Sequence, residues 1–287
     1  MTAIYERITW LFDPLHHLWE HEKMHRKISV TLVFFFLAGL ALIELKRRAL
    51  LPLWLANIAP ANHFHAVQLA FSVVLLQEVI SLIFTIPCSF SRSVGTQFEI
   101  LALILLRNAF KELAWFPEPI GFDGNQMAVL RILANGFGAL LLFGLLGYYY
   151  RIQQRGGESR LAAGNLCSFV AAKKGIALVL LAIFIITGTR NCWLWLHDLH
   201  GEEFLHSFYT ILVLTDILLV LLAQCFQPSF HAVFRNSGFA LSTLIIRLAL
   251  AAPPFYNVLL GLAAIVFAIL LTLVSAMLFQ KKQAASP

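Results

Sequence analysis

Eight stretches of about twenty mostly apolar residues divide this 287-residue chain, at 28–45, 65–87, 94–114, 127–150, 174–191, 204–226, 232–251 and 255–280. A helix of that length is what crossing the hydrocarbon core of a bilayer requires. Composition agrees: 60% of the chain is hydrophobic, 13% is charged, and the mean hydropathy is +0.79. Soluble domains run nearer about half apolar and about a quarter charged. The expected fold is therefore all-α and integral to a membrane, with eight transmembrane helices. The third and seventh stretches are the weakest, because they carry Arg107 and Arg247. No signal peptide is expected, since a polar, histidine-rich arm precedes the first stretch rather than a short apolar run with a small-residue cleavage site.

The chain repeats itself. Leu53-Trp54-Leu55 and Leu194-Trp195-Leu196 are each followed ten residues later by a histidine, His65 and His206. Each half then carries one acid in an apolar stretch, Glu78 and Asp216. An Arg-x-x-Gly follows in each, Arg92 to Gly95 and Arg235 to Gly238. Each half next reaches an apolar run closed by arginine, Leu101–Arg107 and Leu241–Arg247. Four helices per half is an even number, so both halves enter the membrane in the same sense, as parallel repeats related by an axis along the membrane normal. Gly136, Gly144 and Gly147 are small residues where helix backbones could approach closely, though ordinary helix packing is the simpler reading.

The net charge is +6, and its distribution sets the expected orientation. With the amino terminus in the cytoplasm, Arg26, Lys27, Arg92, Arg151, Arg155, Arg160, Lys173, Lys174, Arg235, Lys281 and Lys282 all fall on the cytoplasmic side. Lys46, Arg47 and Arg48 are the main exception. The bias of basic residues predicts both termini cytoplasmic. It also accounts for the basic excess without nucleic acid, because no soluble basic face is long enough to track phosphates. Four scattered cysteines, Cys88, Cys167, Cys192 and Cys225, form no metal-type spacing. The expected organisation is an interfacial arm at 1–27, a first four-helix unit at 28–151, a basic cytoplasmic linker at 152–173, a second unit at 174–282 and a tail at 283–287. Pro14 argues against a long regular helix in the arm.

Charges inside membrane segments are expensive and mark structural ties or pathways. The polar intramembrane core consists of Glu44, Glu78, Glu99, Arg107, Asp216 and Arg247. Depth along each helix, at about 1.5 Å per residue, favours Glu44 as the partner of Arg107. Glu78 and Asp216 then lack a cation at matching depth and can be neutral. In one reading these groups line a path for protons or small ions; in the other they tie helices together.

Histidine is abundant. His17, His21 and His25 recur every four residues, as on one helix face, and read either as a solvated interfacial face or as metal ligands. On the opposite side of the membrane, His63, His65, His197, His200, Glu203 and His206 form a second set, with Glu203 and His206 as a Glu-x-x-His. Di-iron bundles use that motif twice, and it occurs here once. A metal ion or haem is thus a weak alternative, and no cofactor is the main expectation. No phosphate-binding loop, dinucleotide fingerprint or nucleophile elbow is present, which leaves no catalytic residue to name.

The second half resembles the phosphate-starvation-inducible E (PsiE) family of small bacterial membrane proteins. The resemblance rests on the run from Cys225-Phe226-Gln227-Pro228-Ser229-Phe230-His231 to Arg235, on Leu244-Ile245-Ile246-Arg247, on the final apolar helix, and on Asp216 as the acid of the second helix. In the first half Cys88-Ser89-Phe90-Ser91-Arg92 is a reduced version without the Phe-His. Family members are single four-helix units, so this chain reads as a tandem fusion. The resemblance implies an inner-membrane location and a link to phosphate stress, and it supplies no reaction. The leading expectation is a non-enzymatic protein that conducts or senses a small ion. A non-catalytic accessory subunit of a larger membrane complex is the alternative, and a metal- or haem-binding redox subunit is a third. The expected partners are the lipid bilayer and either a second copy or a larger complex.

Overall fold

The computed structural model describes residues 2–48, 62–116, 121, 124–153, 163–196 and 204–284. Among these the chain is helical and contains no strand. The helices are α1 (Thr2–Glu20), α2 (Glu22–Arg47), α3 (Phe64–Phe84), α4 (Phe90–Lys111), α5 (Gln126–Gln153), α6 (Ala163–Leu196), α7 (Phe204–Phe226), α8 (Phe230–Ala251) and α9 (Tyr256–Ala284), with a 3-10 turn at Glu112–Trp115. Each of the eight apolar stretches corresponds to one of α2–α9. Six of these, α2 and α5–α9, are long and apolar enough to cross a membrane, which is the pattern of a multi-pass membrane protein. The shorter apolar run of α3 covers Val73–Phe84. Arg92, Glu99 and Arg107 dilute the apolar character of α4.

Local chemistry sets the helix limits. Ser89 and Ser229 stand in extended backbone immediately before α4 and α8, and the Ser89 hydroxyl accepts from the Arg92 backbone N–H at 3.4 Å. Serine is favoured there because its oxygen can satisfy a backbone donor that the first turn leaves unpaired. At the end of α8, Ala252 is extended, as the residue before a proline must be, and Pro253 and Pro254 end the helix. Phe255 then takes a left-handed backbone (φ 74°) to turn the chain into α9.

Successive helices pack on one another in the same order in both halves: α2 on α3, α3 on α4, α4 on α5, and α6 on α7, α7 on α8, α8 on α9. The halves meet through α5 with α9 and through α4 with α8. Two hydrophobic cores result, and neither belongs to one half. Phe98, Leu105, Leu142, Tyr149, Ile246 and Ile265 join α4, α5, α8 and α9. Phe12, Val79, Ile83, Phe184, Phe208 and Leu212 join α1, α3, α6 and α7.

Three local expectations change. The arm forms a 19-residue helix straight through Pro14 and docks on α6, with Phe12 buried against Phe84, Asp13 bound to Lys174 at 2.6 Å, and Trp19 Nε1 donating to Ser81 at 3.0 Å. These contacts hold a helix that proline alone would weaken. His21 is not helical: it caps α2, its Nδ1 accepting from the Lys23 N–H, so His17 and His25 lie on different helices and the regular four-residue spacing along one helix is broken. Finally, α6 starts at Ala163, so Lys173 belongs to a helix rather than to the linker.

The repeated Arg-x-x-Gly has a packing reason. A Cβ at Gly95 would stand 2.6 Å from Tyr150 Cε1 of α5, and one at Gly238 would stand 2.6 Å from Leu271 Cδ2 of α9. In both halves the glycine of the third helix thus seats a side chain of the fourth. Gly136, Gly144 and Gly147 instead face open space, and the close approach on α5 is at Gly138, against Val258. Gly238→Ala should therefore lose about 1–3 kcal/mol by overpacking. Gly144→Ala should leave stability unchanged. Unfolding of both variants in detergent, followed by circular dichroism, measures the difference.

Candidate functional site

The charged residues of the bundle sort into pairs between neighbouring helices. Arg107 of α4 binds Glu78 of α3 through Nη1 and Oε1. Arg247 of α8 faces Asp216 of α7, with Nε 3.7 Å from Oδ2. Glu78 and Arg247 are buried, and Asp216 is nearly so. The two pairs occupy matching places, joining the second helix of each half to the third. Arg107 and Arg247 each stand seventeen residues beyond the first residue of their helices, Phe90 and Phe230. Tyr209 of α7 lies within electrostatic reach of both Glu78 and Arg247, which brings the pairs into one region of the molecule.

This corrects the pairing expected from depth. Glu44 is bound instead by Arg48, the cap that follows its own helix, at 2.8 Å, and by His63 Nε2 at 3.6 Å, and it is half-exposed. Lateral packing overrides depth: α2 packs on α3, and α4 packs on α3 and α5. Side chains also reach along the helix axis. In a helix the Cα–Cβ bond tilts toward the amino terminus. On antiparallel neighbours the arginine and the carboxylate therefore lean toward each other, and a long guanidinium closes the remaining gap. Glu78 and Asp216 consequently do have cations.

The other predicted core residue, Glu99, lies on an exposed face of α4 and accepts a hydrogen bond from the Tyr150 hydroxyl at 2.7 Å. Glu112 pairs with Arg131 at 3.6 Å. Of the histidine set, His197, His200 and Glu203 lie outside the described residues, as does the side chain of His206. His63 is engaged with Glu44, and His65 Nδ1 is buried without a hydrogen bond. Among the described residues no three His, Cys, Asp or Glu side chains gather where they could hold a metal ion.

Lys173 was missed as a site residue. It is buried on α6, donates to the Cys88 carbonyl at 2.9 Å, and sits over the rings of Phe90 and Phe169 at 4.4 and 4.6 Å. The spacing of Phe169 and Lys173, one helical turn apart, is the signal that could have placed it inside a helix. With Gln97, Asp216 and Thr243 it lines a small cavity between α4, α6, α7 and α8. Buried polar side chains also join the halves directly, Asn257 Nδ2 of α9 donating to Asn135 Oδ1 of α5 at 3.0 Å.

Chemically, the arrangement can hold helices in register and can present charge to a small ion or to water. Comparison with family models, with characterised proteins and with solved structures finds no match.

Removing one partner of either pair strands a buried charge. Arg247→Gln or Asp216→Asn should each cost on the order of 3–5 kcal/mol, whereas the joint replacement Asp216→Leu with Arg247→Met should recover most of that loss. Denaturant titration in detergent of the three proteins provides the check. Stability of all three equal to that of the unmodified protein would show that the pair contributes nothing.

Proposed function

We propose that this chain is a non-catalytic, polytopic protein of a bacterial inner membrane that senses or conducts a small ion through its two acid–arginine pairs. In this reading all of α2–α9 span the bilayer, both termini are cytoplasmic, and the halves are parallel repeats similar to PsiE units. The observation that carries it is the recurrence, at matching places in both halves, of a carboxylate on the second helix against an arginine on the third. Ionised groups within apolar helices are costly enough that a recurrent pair calls for a role. The PsiE resemblance adds a link to phosphate stress, so phosphate belongs among the ions tested.

The pairing itself favours a second reading. A carboxylate already bound by arginine is well suited to tying two helices together, as in an accessory subunit of a larger membrane complex. The two readings part in proteoliposomes. On the ion reading, the unmodified protein passes protons, alkali cations or phosphate, and Asp216→Asn and Glu78→Gln lower that flux while the protein stays folded. No flux of any of these ions would leave the accessory subunit as the better account, and copurifying partners in mild detergent would then support it. Topology is checked separately. Glu118→Cys and Ser159→Cys should react with impermeant thiol reagents from opposite sides of the membrane, and reaction from the same side would exclude eight spans with both ends cytoplasmic.

A further inference from the structure

The two acid–arginine pairs match in position and differ in surroundings. Asp216 lines the cavity between α4, α6, α7 and α8, and Glu78 does not. The cavity measures about 20 Å³, and its polar lining comes from both halves: Ser93 and Gln97 from α4, Lys173 from α6, Asp216 from α7 and Thr243 from α8. A single water requires roughly 10–15 Å³ of such space and two to four polar neighbours. Both conditions are met. Gln97 is 5% exposed, yet its Oε1 is buried and accepts no hydrogen bond. Asp216 Oδ2 is also buried without a hydrogen bond, since Arg247 Nε stands 3.7 Å away. Leaving such acceptors dry forfeits their hydration with no return, so a polar space beside them favours water over a void.

We infer that this cavity is an internal water site, where a water molecule donates to Gln97 Oε1 and Asp216 Oδ2 with its lone pairs open to the Lys173 ammonium. The site joins the two halves through a solvent molecule. It also makes Asp216 a hydrated carboxylate within the bundle. Its functional meaning, that ions or protons exchange at Asp216, rests on the ion reading proposed above. The site itself rests on hydration alone.

Hydroxyl-radical labelling of the full chain in lipid nanodiscs, read by mass spectrometry, tests it. Radicals formed from bound water mark side chains that bulk solvent does not reach. Val94 and Leu219 line the cavity and are 1% and 5% exposed, whereas Val79 and Ile83, close to Glu78 in sequence, are 1% and 0% exposed and do not line it. Val94 and Leu219 should label several-fold faster than Val79 and Ile83. Gln97→Leu should bring Leu219 down to the level of that control pair, in a protein that still elutes as a single species. Where Gln97→Leu does not fold, Thr243→Val serves the same purpose. Labelling of Val94 and Leu219 no faster than that of Val79 and Ile83 would overturn the site, as would fast labelling that neither variant lowers. Fast labelling lowered by the variants, in a protein without ion flux, would keep the water site and remove the ion reading.

Discussion

The bundle depends on two acid–arginine pairs that bring charge into its apolar helices. An isolated carboxylate or guanidinium in such a segment is costly, and their mutual attraction offsets that cost only at close range. Glu78 with Arg107, and Asp216 with Arg247, meet this condition. Each pair joins adjacent antiparallel helices whose side chains lean toward one another. The pairs thereby specify neighbours that hydrophobic contact leaves open, because lipid tails and leucine side chains are equally apolar. With α3 held to α4 and α7 held to α8, the remaining contacts follow the order of the chain in both halves.

Close packing then completes what the charges begin. Gly95 and Gly238 remove a side chain where Tyr150 and Leu271 need room, which lets the third and fourth helix of each half approach. The same four helices supply one hydrophobic core spanning both halves, and the Asn135–Asn257 hydrogen bond crosses it. The second core takes its helices from α1, α3, α6 and α7. The amino-terminal helix is therefore part of the packed body, with Phe12 in that second core, and Lys174 of α6 both binds Asp13 and lies over the Phe12 ring. Its outward face leaves Trp10, Leu11 and Leu18 exposed, an apolar surface suited to the membrane interface.

Much of this was legible in the sequence. The length and apolar character of the segments foretold helices at α2–α9, because backbone hydrogen bonding in an apolar solvent leaves few other choices. The recurrence of acid, Arg-x-x-Gly and closing arginine pointed to the residues that matter, because a charged or small residue repeated in an apolar context stands out against its surroundings. Partners were not legible. Glu44 and Arg107 looked matched by depth, and only lateral packing shows α3, rather than α2, beside α4. Lys173 looked like a linker cation because charge near a glycine-rich stretch resembles solvent-exposed chain, and only burial among Phe90, Phe169 and the Cys88 carbonyl shows otherwise. The sequence by itself determined which segments become helices and which polar residues they carry, since both follow from local composition. The tertiary structure alone decided which acid meets which arginine, and which side chains of four helices line one cavity, since those depend on the angles and contacts of helices far apart in the chain.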